Sequence, residues 1–220
     1  MTQSLGKDAW KGMILRAAYH IRENRDRLTR LDSAGGDGDH GITMARAMDL
    51  IERTVAGSSS DTLHGLLDEV AWAMMGVDGG ATGPLFGSFF LAMASAAKEV
   101  DVVTGPALAC IFEAGLEGVL KRTRARVGDK TLVDALEPAV KALAAAAGAG
   151  ASPADALGKA AEAGEAGAAA TRDIQARFGR ARNVGEKSVG TEDPGAVSVS
   201  LLFRGFSEGA RYDDKTMKET

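Results

Sequence analysis

The stretch DAWKGMILRAAYHIRENRDRLT, residues 8–29, decides the fold class. Its apolar side chains recur three or four positions apart, which is the spacing of one face of an α-helix. They form a single stripe made of Trp10, Met13, Ile14, Ala17 and Ile21. Charged and polar residues fill the positions between them and suit the solvated face of such a helix. The segment therefore predicts an amphipathic helix.

The same spacing returns along the rest of the chain. It predicts further helices near residues 41–56, 60–75, 84–99, 105–122, 131–147, 153–177 and 195–208. No run of alternating β-branched residues predicts a strand. Glycine-rich loops separate the helices, and no shift in composition divides the chain. We therefore predict one all-α domain of about eight helices over residues 1–220.

The alanine-rich segment Ala139–Thr171 allows two interpretations. Gly148 and Gly150 interrupt it, and Ser152 followed by Pro153 suits the N-cap and first position of a new helix. A low-complexity linker is the alternative. Helix-forming residues dominate on both sides of the interruption, and this favours two helices.

The overall composition is that of a soluble globular protein, with 45% apolar and 25% charged residues. A net charge of −4 predicts no affinity for nucleic acid or for an anionic membrane surface. The longest uncharged stretch, residues 79–97, begins with glycines and a proline and does not suit a membrane span. The first eight residues lack the pattern of a secretory signal, and a lone Cys110 cannot form an internal disulfide. We expect a cytoplasmic protein.

The segment LDSAGGDGDHG, residues 31–41, places Asp32, Asp37 and Asp39 close together along the chain. Crowded carboxylates repel one another unless they are solvated or share a cation. Oxygen ligands suit Mg²⁺ or Ca²⁺, and Mg²⁺ typically binds a few carboxylates together with substrate phosphates. An EF-hand is excluded because its twelfth position, which requires glutamate, is Thr43. A solvated acidic turn that caps the next helix is the alternative, and His40 alone suits a structural role.

The segment GVDGGATGPLFGS, residues 76–88, predicts a tight turn that leads into a helix. Backbone N–H groups at a helix start bind anions, and Pro84 suits the first turn. No lysine follows the glycines at the spacing of a Walker A loop. A plain turn between helices would have a similar sequence.

Two further loops carry polar residues. Gly128-Asp129-Lys130-Thr131 precedes an amphipathic helix and offers capping side chains. In residues 179–196, Arg180 and Arg182 are candidates for pairing with phosphates, and Asp193-Pro194 suits a helix start. A solvated surface role is the alternative for each basic residue.

Taken together and in this order, the loops resemble the nucleotide-binding L subunit of bacterial dihydroxyacetone kinases, the Dak2 or DAK phosphatase-like domain family. The resemblance covers essentially the whole chain. It is carried by LD and GDGDHG within residues 31–41, GGATGPLFG at 79–87, GDKT at 128–131, and GEKSVG and DPGA within 185–196.

The resemblance implies a barrel of eight antiparallel amphipathic helices, with the nucleotide among the interhelical loops at one end. It implies that Asp32, Asp37 and Asp39 hold two Mg²⁺ ions against the phosphates of ADP or ATP, and that these residues and Arg180 serve catalysis. Nucleotide contacts carry over to His40, Gly41, Ile42, Thr43, Ala81, Thr82, Thr123, Leu132, Arg180, Asp193, Pro194 and Gly195.

The implied reaction is phosphoryl transfer to a hydroxyl of a short-chain ketose, either dihydroxyacetone or a four-carbon ketose. In the family, a histidine of a separate K-type subunit holds the sugar. The phosphoryl donor is either ATP or a phosphotransferase-system phosphocarrier that recharges bound ADP. A homodimer is a further option. The alternative is a nucleotide-binding regulatory module without transfer activity.

One departure from the family pattern affects the segment that caps the site. Arg182-Asn183 stand where the family has Ser-Tyr, and Lys187 stands where it has Arg. Lysine lacks the planar fork with which arginine binds carboxylates and phosphates bidentately. We expect this difference to alter the specificity of the cap.

Overall fold

Helices make up nearly all the regular structure of this computed structural model, which describes residues 4–98, 100 and 102–216, with the backbone alone for 212–216. The α-helices in that part of the chain are α1 (Lys7–Glu23), α2 (Arg25–Ser33), α3 (His40–Gly57), α4 (Leu63–Met75), α5 (Thr82–Ala96), α6 (Gly105–Leu120), α7 (Val133–Gly148), α8 (Pro153–Ala170) and α9 (Pro194–Thr216). Two 3₁₀ segments, Thr171–Asp173 and Arg180–Ser188, lie between α8 and α9. None of the described helices is both long and apolar enough to cross a bilayer.

Eight of these helices close a ring. Along the ring α1 packs against α3, and α3 to α9 follow in chain order until α9 packs against α1. The short helix α2 lies outside the ring, against α3 and α9. Neighbouring helices run in opposite directions. The C-terminal ends of α4, α6 and α8 lie at the same end of the barrel as the starts of α5, α7 and α9. The prediction of an all-α barrel of about eight antiparallel helices is therefore confirmed.

Aromatic rings fill the centre of the barrel. Phe112 of α6 lies 5.9 Å from Trp10, 6.1 Å from Phe89, 5.5 Å from Phe203 and 5.7 Å from Phe206, measured between ring centroids. All five side chains are fully buried. Burial of these rings from α1, α5, α6 and α9 favours closing the barrel.

A close helix crossing in the ring joins α1 and α9. A Cβ atom on Gly205 would lie 2.3 Å from the backbone of Ala17, and one on Gly209 would lie 2.5 Å from the backbone of Met13. These two glycines therefore let the last helix pack against the first and close the barrel.

The first predicted helix is interrupted at Asn24, which separates α1 from α2. The Asn24 side chain donates to the carbonyl of His20 at 2.9 Å and so caps α1. Asparagine competes with helical hydrogen bonding in this way, and the single helix predicted over residues 8–29 was wrong at this point.

The alanine-rich region forms two helices, as predicted. Gly150 adopts a φ of 84° between α7 and α8, and the Ser152 side chain caps α8 by accepting from the Asp155 N–H at 3.2 Å. The prediction that the second helix extends to residue 177 was wrong. It ends at Ala170, and the Thr171 hydroxyl then donates to the carbonyl of Ala168 at 2.5 Å.

Candidate functional site

One end of the barrel contains a cavity of about 550 Å³. The first residues of four helices lie in or next to its wall: His40, Thr82, Val133 and Pro194. Each helix start carries a partial positive charge of about half an elementary unit and N–H groups without helical partners. Four such ends around one cavity favour an anionic ligand.

Three carboxylates converge beside the cavity. Asp32 lies near the end of α2, and Asp37 and Asp39 follow in the loop that leads into α3. One oxygen from each of the three lies within 4.8 Å of the others. Such a spacing allows a single divalent cation to contact all three, and oxygen donors are those that Mg²⁺ prefers.

The loop around these carboxylates depends on close backbone approach. The Asp32 carboxylate accepts from the backbone N–H of His40 at 3.2 Å, which fixes its orientation. A Cβ atom on Gly36 would lie 2.3 Å from the other Asp32 oxygen. Gly38 has a φ of 75°, a conformation that side chains disfavour. The glycines are therefore needed for the carboxylates to meet.

Arg180 joins this cluster from a distant part of the chain. Its guanidinium donates to Asp37 and lies 3.4 Å from Asp39. The arginine comes from the second 3₁₀ segment, and that segment touches the acidic loop where a Cβ on Gly35 would lie 2.9 Å from the Cβ of Ala181. All these charged side chains are about half exposed, so the pairing is open to exchange with a ligand.

His40 connects three helix starts. Its Nε2 lies 2.8 Å from the Ser198 hydroxyl, and its Nδ1 lies 3.4 Å from the Thr82 hydroxyl. Because the Ser198 hydroxyl donates to the Pro194 carbonyl at 3.0 Å, His40 Nε2 is the donor to Ser198 and Nδ1 accepts from Thr82. Burial lowers the pKa of His40, although neighbouring carboxylates oppose this shift. A neutral ring therefore orients the Thr82 hydroxyl at the start of α5.

Asp193 caps α9 at the cavity wall. Its carboxylate accepts from the Ala196 N–H at 2.7 Å, and its own N–H donates to the Thr171 hydroxyl at 2.8 Å. Burial raises the pKa of Asp193 to about 7, against the opposing effect of its hydrogen bond to Ala196. The residue therefore links the start of α9 to the segment after α8.

Lys130 joins the loop before α7 to the segment between α8 and α9. Its buried ammonium donates to the carbonyl oxygens of Thr171 at 2.8 Å, Ser188 at 2.7 Å and Thr191 at 2.5 Å. All three of its N–H donors are thereby used. Burial lowers the pKa of Lys130, while nearby carboxylates, Asp193 first among them, oppose the shift.

Asp134 and Asp129 shape the loop that carries Lys130. The Asp134 carboxylate accepts from the N–H groups of Gly128 and Thr131, both at 2.7 Å. Asp129 accepts from the N–H of Arg126 at 2.8 Å. Lys130 itself has a φ of 60°, which is uncommon outside glycine, and these bonds hold the loop in that conformation.

Most of the residues predicted for the site share the wall of this cavity. They are Asp32, Asp39, His40, Ala81, Thr82, Thr123, Leu132, Arg180, Asp193, Pro194 and Gly195. The remaining four lie off the wall. Asp37 accepts a hydrogen bond from the wall residue Arg180. Ile42 is 44% exposed. Gly41 lies against the backbone of Arg25, and the buried Thr43 packs against Gly79.

Several residues of the wall were not predicted from the sequence. Lys130, Phe178 and Asn183 line the cavity, as does Arg122, which donates to the Ser88 hydroxyl at 3.2 Å. Lys130 belongs to the motif GDKT at residues 128–131. A lysine in a loop predicts a solvated side chain, and nothing in the sequence indicates the three carbonyl groups to which Lys130 donates.

Comparison with known proteins agrees with these features. A family model described as the DAK2 domain matches residues 34–208. The chain is 38% identical over 183 residues to the PEP-dependent dihydroxyacetone kinase 1, ADP-binding subunit DhaL, of Listeria innocua, covering 83% of this chain and 86% of that protein. It is 36% identical over 177 residues to the PEP-dependent dihydroxyacetone kinase, ADP-binding subunit DhaL, of Escherichia coli K12, covering 80% of this chain and 84% of that protein.

A solved structure has the same fold. The crystal structure of the dihydroxyacetone kinase from C. freundii in complex with AMP-PNP and Mg²⁺ matches with a TM-score of 0.72 and 25% identity. The match covers 94% of this chain and 35% of that longer chain.

Proposed function

The chain belongs to the DAK2 domain family, and from that premise we propose that it is the ADP-binding subunit of a dihydroxyacetone kinase. The reaction is phosphoryl transfer to a hydroxyl of a short-chain ketose. The observation that carries the proposal is the convergence of Asp32, Asp37 and Asp39 at a cavity surrounded by four helix starts. That arrangement combines ligands for a cation with a binding site for phosphates.

The three carboxylates fit a magnesium site, because their oxygens are close enough to share an ion and only Arg180 pairs with them among the described side chains. We assign two Mg²⁺ ions to this cluster, between the carboxylates and the phosphates of ADP or ATP. Bound Mg²⁺ neutralises charge on the phosphates and on the group in transfer.

The protein side chains supply positioning and positive potential. Arg180, which pairs with Asp37 and Asp39, would be available to the phosphoryl group in transfer if a cation held those carboxylates. The neutral His40 ring holds the Thr82 hydroxyl at the start of α5, where phosphate oxygens would bind. The N–H groups at the starts of α5 and α9 add to this cradle.

The ketose is held by a partner subunit of the K type. None of the three histidines of this chain suits that role, because His20 and His64 lie off the cavity wall and both ring nitrogens of His40 are engaged, by Ser198 and by Thr82. The phosphoryl donor is then either exchangeable ATP or a phosphorylated carrier protein that recharges bound ADP.

A reconstituted assay tests this function. The chain is mixed with a K-type subunit, and phosphate transfer from ATP or from a phosphorylated carrier is measured with dihydroxyacetone and with a four-carbon ketose. We expect turnover with the wild type and with the exposed control Asp61→Asn, which lies in the loop between α3 and α4, but a loss of at least about 100-fold with Asp39→Asn. Tight Mg-ADP binding without turnover under any pairing would instead support a regulatory module.

A further inference from the structure

The charge of the chain is unevenly distributed around the cavity. Residues 121–130 carry five basic residues and one acidic residue, and residues 171–187 carry five basic and two acidic residues. The whole chain nevertheless has a net charge of −4. The two segments together carry ten basic and three acidic residues, so the rest of the chain has a strong acidic excess.

These two segments form one continuous surface. The backbone N–H of Arg177 donates to the carbonyl of Asp129 at 3.1 Å, and its guanidinium lies 3.5 Å from the Asp129 carboxylate. Lys130 bonds to the carbonyl of Ser188, which adjoins Lys187. Both segments also contribute residues to the cavity wall.

Four cations of these segments have no evident structural task. They are Arg124, Arg126, Arg182 and Lys187, here called the basic rim, and all four are exposed. Their basic neighbours are paired, Lys121 with Glu117, Arg177 with Asp129, and Arg180 with Asp37 and Asp39. Among the described side chains, the basic rim has no such ion-pair partner.

Stabilisation of the helix ends does not account for the basic rim. Positive charge near a helix C-terminus is favourable, but this effect falls off within the last turn. Lys121 and Arg172 lie next to the ends of α6 and α8 and suit that role. Arg124 and Arg126 lie further along the loop after α6, and Arg182 and Lys187 lie within the second 3₁₀ segment, on either side of its kink at Gly185.

Binding of the nucleotide does not account for it either. Arg122 and Arg180 line the cavity, whereas none of the four rim residues does. Arg124 directly follows the wall residue Thr123, and Arg182 lies between the wall residues Ala181 and Asn183. These cations are therefore next to the cavity, which a protein that reacts with a bound nucleotide must approach.

The chemistry of the surface favours a protein as its occupant. Exposed valines alternate with the cations: Val127 is 53%, Val184 37% and Val189 45% exposed. Mixed apolar and arginine-rich surface is typical of protein interfaces. Single-stranded nucleic acid would require exposed aromatic rings for stacking, and the only aromatic residue of these segments, Phe178, packs against the core.

We propose that the basic rim docks an acidic surface of the protein that brings the ketose to the mouth of the cavity. This inference rests on the proposed function, because the partner is the K-type subunit of the same kinase. Attraction between the two surfaces would speed their encounter and orient the partner towards the bound nucleotide.

The test is a charge reversal at two rim residues. The variant Arg124→Glu/Arg126→Glu is compared with the control Arg53→Glu/Lys159→Glu, which changes the same charge at exposed positions on α3 and α8. Binding to the K-type subunit is measured by calorimetry, and turnover is measured as a function of its concentration. We expect the rim variant to bind at least about tenfold more weakly, with unchanged ADP affinity and unchanged turnover at saturating partner.

Salt provides a second measurement. Raising the ionic strength from about 0.05 M to about 0.3 M shortens the Debye length by more than half and should weaken binding of the wild type and the control. The rim variant should lose most of this salt dependence. Equal partner binding by all three proteins would overturn the proposal, and so would rim-dependent binding of heparin or anionic vesicles with unchanged partner binding. Failure of the proposed function is distinguishable, because the wild type would then bind its partner without turnover.

Discussion

The ammonium of Lys130 donates to the carbonyl of Ser188 at 2.7 Å, across 58 residues of sequence. Two further carbonyls, those of Thr171 and Thr191, accept from the same group. One buried side chain thereby joins the loop before α7 to both ends of the segment that carries Arg180. The position of that arginine over the acidic cluster depends on this junction.

Replacing Lys130 with methionine should therefore loosen the cap. Three buried carbonyls would lose their donor, and we expect a loss of about 3 kcal/mol in the free energy of unfolding. ADP affinity should fall as well, because Arg180 is no longer held. Urea unfolding and calorimetric titration with Mg-ADP measure the two effects.

Lys159→Met is the matched control for this change. Lys159 is exposed and, among the described side chains, pairs only with Glu162, so its loss should cost less than about 0.5 kcal/mol. Equal stability of the Lys130 and Lys159 variants would contradict the role given to the buried ammonium.

Adding a single methyl group where α1 crosses α9 should destabilise the protein. The Cβ atom of Gly205→Ala would lie 2.3 Å from the backbone of Ala17, so the two helices must separate. We expect a destabilisation of about 2 kcal/mol, measured by thermal or urea unfolding.

Gly12→Ala is the matched control in the same pair of helices, and we expect it to stabilise the protein. Gly12 lies within α1 and has open space at its Cβ position. Alanine is the better helix former, so this variant should be more stable by up to about 1 kcal/mol. Equal changes in stability for the two variants would contradict the close approach of α1 and α9 at Gly205.

Glu208 should make the free energy of unfolding depend on pH in the acidic range. Burial by itself raises the pKa of Glu208, but hydrogen bonds from His20 at 2.7 Å, Arg16 at 2.9 Å and Arg204 at 3.1 Å outweigh it and hold the pKa at about 2. The folded pKa lies below the ordinary value of 4.5, so the folded state binds the proton less readily than the unfolded chain. This contribution is fully present above pH 4.5 and is lost as the pH falls towards 2.

Glu208→Gln should accordingly lower the free energy of unfolding at neutral pH by about 1 kcal/mol, a value reduced for solvent screening of a side chain about one third exposed. The difference from wild type should shrink as the pH falls from 4.5 towards 2. Urea unfolding at several pH values measures it. A difference that stays constant over this range would contradict the ionic role of Glu208.

Local patterns predicted the ring of helices well, because each helix of the barrel carries its own apolar stripe. The interruption at Asn24 was missed, since it depends on one side chain that caps α1 rather than continuing the helix. The 3₁₀ segment Arg180–Ser188 was also missed. Its turn at Gly185, with a φ of 58°, is held by the Ser188 hydroxyl, which donates to the Gly185 carbonyl at 2.6 Å.

The candidate site was predictable where a motif concentrates its residues within one loop, as in residues 31–41. Contacts between distant segments were not. Pairing of Arg180 with Asp37 joins positions 143 residues apart, and no local pattern encodes it. The burial of Lys130 likewise depends on three carbonyls that fold around it only in the assembled barrel.

Our proposal for the site is that Asp32, Asp37 and Asp39 hold the magnesium through which the nucleotide binds. Its most direct test is calorimetric titration of ADP with and without Mg²⁺, for the wild type, Asp37→Asn and the exposed control Asp61→Asn. We predict that Mg²⁺ strengthens ADP binding at least about tenfold in the wild type and the control, and that Asp37→Asn loses this increment. ADP affinity and magnesium dependence that are the same in Asp37→Asn as in the wild type would contradict the account.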